Sequence, residues 1–105
     1  MLKRIRLLLD YQCYPVWLYD EAGDLIDTLL PEELREDKEL DAKFDNLQER
    51  YDALFVNNRH EFSFRGFKNE KEREQFFRDW HVVTSELICK TEGKYIITDE
   101  IDKSL

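Results

Sequence analysis

Three aspartates, Asp20, Asp24 and Asp27, crowd one short stretch of the chain. Carboxylates this close could bind calcium or divide acid and base work between them. The spacing is not that of an EF-hand, because the required glycine and the distal glutamate are misplaced. A solvated turn is the expected role. His60 and His81 stand apart, with no HxxxH, HxH or Cys/His cluster, so each is assigned a structural or surface role. Cys13 and Cys89 form no CxxC. Both lie in apolar settings, and two buried free thiols in a reducing cytosol are expected rather than a bridge. Nucleophilic catalysis needs a nucleophile, a base and an orienting group. The serines are Ser63, Ser85 and Ser104, and none sits in a nucleophile elbow. Three glycines cannot build a phosphate-cradling loop of either common kind. No catalytic residue, no metal and no cofactor is therefore expected. An enzyme using dispersed carboxylates such as Asp20 and Asp27 stays as an alternative, to be favoured by a deep polar pocket or a tight metal.

Binding chemistry is better represented. Tyr11, Tyr14, Trp17 and Tyr19 fall within nine residues of one another. If Val16 and Leu18 face inward, Trp17 and Tyr19 face outward, and the reverse holds otherwise. An exposed Trp/Tyr pair is an interface signal, because these residues dominate binding hot spots. The alternative is that helices cover one pair and a strand shields the other. Charge is uneven as well. Residues 10–52 hold fourteen acids against four bases, a net of −10, whereas 59–90 come to +1. An acidic region speeds encounter with a basic partner and repels nucleic acid. The ordinary alternative is a solvated helix face. The predicted contact set is Trp17, Tyr19, Asp20, Asp24, Asp27, Asp37, Asp41 and Asp45.

The elements that must carry these residues follow from periodicity. Residues 4–13 alternate, with Ile5, Leu7, Leu9, Tyr11 and Cys13 on one face, which predicts a half-buried strand. Pro15 interrupts the ladder because it has no N–H. Segments 16–19 and 25–29 read as a β-hairpin around Gly23. Pro31, Glu32 and Glu33 suit a helix start, and 32–38 is either the beginning of the next helix or a separate turn. Leu40, Phe44, Leu47, Tyr51, Leu54 and Phe55 make a stripe at helical spacing, placing a helix at about 38–56. Glu61–Arg65 alternates as a short strand. Asn69 caps a helix over 70–91, with Glu72 as capping-box partner and Gly93 at its end. Its stripe is Phe76, Phe77, Trp80, Val83, Leu87 and Ile88, with Thr84 inside it. Residues 94–98 form the last strand, followed by a frayed tail. The expected order is βββαβαβ. That order predicts an α+β fold: a mostly antiparallel sheet of four or five strands with two amphipathic helices on one face.

The chain of 105 residues fits a single domain, 1–105, able to bury roughly 65% of its unfolded surface. It is 42% hydrophobic and 38% charged, with a net charge of −8. Such a balance argues against nucleic acid and anionic membrane as partners, since both need clustered Lys/Arg. The run Leu7–Leu9 is too short for an export signal, and no stretch approaches a membrane span, so a cytoplasmic protein is expected.

The segment DYQCYPVWLYDEAGDLID, then PEEL, then EFSFRGFKNEKEREQFFRDW resembles small cytosolic bacterial immunity proteins encoded beside polymorphic toxins. The likeness spans about 10–98 and implies a non-enzymatic inhibitor that binds and neutralises a cognate toxin domain. The implied partner is a protein, here a basic one. No residue role is carried over. A small structural or regulatory subunit of a constitutive complex is the second alternative.

Overall fold

The computed structural model describes residues 2–105. Strand β1 (Lys3–Leu7) pairs antiparallel with β2 (Val16–Tyr19), which pairs antiparallel with β3 (Leu25–Thr28). The last strand, β6 (Tyr95–Asp99), lies parallel to β1 on its other side, giving the order β3-β2-β1-β6. Alternation puts Ile5, Leu7, Val16 and Leu18 on one face, all buried. Helices α1 (Lys38–Asp52) and α2 (Glu70–Thr91) cover that face. Leu40, Phe44 and Leu47 from α1 meet Phe76, Trp80, Val83 and Leu87 from α2 in one core with the strand residues. The fold is thus α+β, with two helices over a mostly antiparallel sheet.

Local chemistry explains the boundaries. Asn69 accepts the amide of Glu72 at 2.9 Å and opens α2. Glu92 and Gly93 both take positive φ and close it. Asp37 caps α1 by accepting the Leu40 amide at 3.0 Å. Residues Glu32–Leu34 form a separate 3-10 turn after Pro31. Thr84 lies inside the α2 stripe because its hydroxyl donates to the Trp80 carbonyl at 2.8 Å.

Several expectations are corrected. The first strand ends at Leu7, not near residue 13: Gln12 takes a φ of 56°, and a turn closed by the Asp10–Cys13 bridge follows the strand. Helix α1 ends at Asp52, and Phe55–Asn57 instead forms β4, antiparallel to β5 (Phe62–Phe64). These two strands make a small separate sheet rather than a fifth strand of the main one. Tyr51 is half-buried, and Ile88 lies on the exposed side of α2. The Cys89 thiol is exposed, not buried, while Cys13 is half-buried. The tail is tied down: the Glu100 amide donates to Leu7, Ile101 packs on the core, and the Arg73 guanidinium holds the carbonyls of Lys103 and Leu105.

Candidate partner-binding surface

Helix α1 presents two of its bases to α2, where Lys43 pairs with Glu86 and Arg50 with Asp79, both at 2.8 Å. Four of its five acids, Asp41, Asp45, Glu49 and Asp52, are spaced to share one stripe, which Lys38 joins at its N-terminal end, while Glu39 lies off it. Among the described residues, Asp41, Asp45 and Glu49 have no cation within 4 Å. Partial burial, then the charges of Asp41 and Glu49, push the Asp45 carboxyl upward. The segment 10–14 runs along this stripe. Tyr14 donates its hydroxyl to Asp41 at 2.8 Å, and the Gln12 amide donates to Asp52 at 2.8 Å.

Asp37 stands at the start of α1, where it accepts from Lys90, which also reaches Glu86 at 2.9 Å. The Lys90 and Leu40 hydrogen bonds hold its carboxyl below the usual range. Asp20 shapes the first hairpin: one oxygen accepts the amides of Ala22 and Asp24, both at 2.9 Å. Asp24 and Asp27 are exposed, and Asp27 accepts from the Thr28 amide at 2.7 Å.

Trp17 and Tyr19 do face away from the core, on the open side of the sheet, and both are half-buried there. Trp17 stands between Arg6 and Thr28, and Tyr19 between Arg4 and Leu25. Arg6 donates to the Tyr19 hydroxyl at 2.9 Å and forks onto Glu100 at 2.7 Å. The predicted contact set is therefore divided. Asp37 caps α1 and Asp41 and Asp45 lie on it over one face of the sheet, Trp17 and Tyr19 lie on the opposite face among arginines, Asp20 and Asp24 lie at the end of the first hairpin, and Asp27 lies on β3 opposite Leu18.

A second aromatic group escaped the sequence reading. Phe55 is ringed by Tyr11, Tyr51, Phe62 and Phe64, with centroids 5.0 to 5.5 Å away. Phe62 and Phe64 are 57% and 47% exposed. The alternation Phe62-Ser63-Phe64 carried the signal, since it requires both rings on one face of a short strand.

A cleft of about 570 Å³ lies between the end of α1 and the start of α2 beside Arg65 and Lys68. Neither Asp20 nor Asp27 lines it or the two shallower hollows. Among the described residues no three His, Cys, Asp or Glu side chains converge as metal ligands. None of the described helices is long and apolar enough to cross a membrane.

A family model for Serratia CdiI immunity protein-like proteins matches residues 3–98. The chain belongs to this immunity protein-like family. The match runs from the first residue of β1 to the penultimate residue of β6, so the described helices and, but for Asp99, the described strands lie within it. The α1 stripe and the Phe55 group of this immunity protein-like chain both fall inside it. No curated protein matches the chain.

Proposed function

We propose that the chain is an immunity protein that binds a cognate toxin domain and neutralises it by occupying its surface, with no chemistry of its own. The observation that carries this reading is the family match over 3–98. The charge distribution adds the chemistry of the partner. The surplus acids of residues 10–52 include a stripe on α1 whose Asp41, Asp45 and Glu49 form no ion pair among the described residues, which favours a basic toxin domain such as one built to hold phosphate. Asp41, Asp45 and Glu49 form the steering edge, and Asp24 and Asp27 add attraction from the hairpin. Asp20 and Asp37 act mainly within the fold. The site of action is the cytoplasm of the producing cell.

The test is a titration of the toxin domain encoded in the neighbouring gene. Its activity should fall linearly and vanish at one equivalent of this chain, with a stable complex of the two on a sizing column. Full activity in the presence of excess chain would overturn the reading. Loss of activity at far below one equivalent would point to catalysis instead.

A further inference from the structure

The two-stranded sheet β4–β5 spends aromatic residues on solvent. Its register sets Phe55 opposite Phe64 and Asn57 opposite Phe62, so one face carries all three rings. Tyr11 closes that face, with its centroid 4.9 Å from Phe62 and its hydroxyl accepting from Asn57 at 3.2 Å. The small sheet packs its outer rings only in part: Phe62 and Phe64 contact Phe55 yet remain 57% and 47% exposed. Its backbone ladder is anchored by the Arg65 and Gly66 amides, which both donate to the Leu54 carbonyl at 2.6 and 3.1 Å. Phe55, stacked at 7° on Phe62, is the packing member of the group.

The Tyr11 side of this face carries two carboxylates, whereas Arg59 lies in the β4–β5 turn and Arg65 follows β5. Asp10 accepts the Tyr11 amide and Asp52 the Gln12 amide, each at 2.8 Å and each through one oxygen. Their second oxygens have no partner among the described residues. Asp52 also ends the α1 stripe, so carboxylates lead along the helix to the rings. Asp10, Asp52 and Asp102 all lie near enough to Tyr51 for their charges to add to burial in raising its hydroxyl. Arg65 and Lys68 instead line the cleft by Gly66. The other large aromatic surface, the open face of the main sheet, holds Arg4 and the Glu100-paired Arg6 beside Tyr19 and Trp17, so it offers a basic partner no comparable surplus of acid.

We propose that the aromatic face of β4–β5 with Tyr11 is the docking site for an arginine-bearing surface of the toxin domain. A guanidinium stacks on the exposed faces of Phe62 and Phe64 while Asp10 and Asp52 supply the counter-charge. Aromatic anchors surrounded by polar groups are the usual arrangement of a binding hot spot. This inference rests on the chain being a toxin-binding immunity protein, and it names a contact set outside the one that charge and sequence order suggested.

The experiment measures binding of the parent, Phe62→Ser/Phe64→Ser, Phe62→Lys and Phe62→Leu to the neighbouring toxin domain, beside thermal melts of each variant alone. The serine pair should weaken binding at least about 30-fold, the scale of a hot-spot residue, with an unchanged melt. Phe62→Lys should weaken it further by like-charge repulsion. Phe62→Leu keeps apolar bulk and loses the ring face, so it should lose several-fold. Should the serine pair melt early, the exposed single substitution Phe62→Lys decides. Parent-like binding by well-folded Phe62→Lys overturns the docking site and leaves the functional reading intact. Parent-like binding by Phe62→Leu overturns the arginine stacking. A parent chain that binds no toxin domain overturns both readings.

Discussion

The Tyr14 hydroxyl donates to the Asp41 carboxylate across 2.8 Å, joining the segment before β2 to the first turn of α1. The ring also packs 6.0 Å from Phe44. Burial, and then the Asp41 carboxylate, drive the Tyr14 hydroxyl well above its ordinary pKa, so it stays a donor at every physiological pH. Tyr14→Phe keeps the packing and removes the bond. It should cost about 1–3 kcal/mol, because a half-buried carboxylate loses its donor. Urea denaturation measures this, and an unchanged midpoint would mean water replaces the hydroxyl at no cost.

The core is a second point of test. Leu47 and Trp80 are buried where α1 and α2 meet the sheet. Leu47→Ala should cost about 2–5 kcal/mol and Trp80→Ala about 3–5. Trp80 adds a polar tie, donating its indole N–H to Asp99 at 3.0 Å. Trp80→Phe should therefore lose more than its change in volume explains. If either alanine variant melts like the parent, the helix faces are wrongly assigned.

The readable parts of this fold are those where one signal had one meaning. Helix α2 has a cap, a long stripe and a terminal glycine, and its limits of 70 and 91 followed directly. The turn at 20–24 was legible for the same reason. Helix α1 overran because Phe55 stands four residues after Tyr51, a spacing that suits a helix and equally suits the T-shaped contact at 5.2 Å that β4 makes. Periodicity cannot separate these cases when the strand is three residues long. Alternation through residues 8–13 misled similarly. Leu9 packs on the core and Tyr11 on the Phe55 group, so each apolar residue finds a buried surface without a strand. The contact set split because side-chain alternation is local, whereas the position of Asp41 relative to Trp17 depends on which face of the sheet α1 covers.

Acid should loosen the junction between the helices. Hydrogen bonds from Lys90 and Leu40 lower the Asp37 carboxyl, and those from Lys43 and Lys90 lower Glu86. For Asp79, burial works upward but the Arg50 and Gln75 bonds outweigh it. Groups with depressed native pKa values stabilise the fold above their unfolded values, about 4, and that contribution is lost as pH falls through the native values. Asp45 is shifted the other way, so its protonation slightly favours the fold on the same descent. The depressed groups are more numerous, so the urea midpoint should drop from about pH 5 downward. Glu86→Gln should flatten that slope. An identical slope in the variant would mean the Lys43–Glu86–Lys90 bridge carries none of the effect.

The two acidic regions can be told apart by reversal of charge. Asp20 cannot be used, because Asp20→Lys removes two hydrogen bonds that shape the turn and confounds binding with folding. Asp24 and Asp27 are exposed at the first hairpin, and Asp45 and Glu49 are exposed on α1. Asp45→Asn alone should raise stability by up to about 0.5 kcal/mol, since it relieves like charges at helical spacing from Asp41 and Glu49. The same substitution should slow association with a basic toxin domain at low salt. Asp45→Lys/Glu49→Lys should slow association more than Asp24→Lys/Asp27→Lys, because the stripe on α1 leads to the aromatic face and the hairpin turn lies at the other end of β2. Both effects should shrink as added salt shortens the Debye length, and dissociation should change little, as expected for charges at the edge of an interface. Stopped-flow mixing at two salt concentrations measures all of these rates. A larger effect from the hairpin pair would move the steering surface to the first hairpin. Equal rates for parent and both double variants would show that these acids serve solubility rather than encounter.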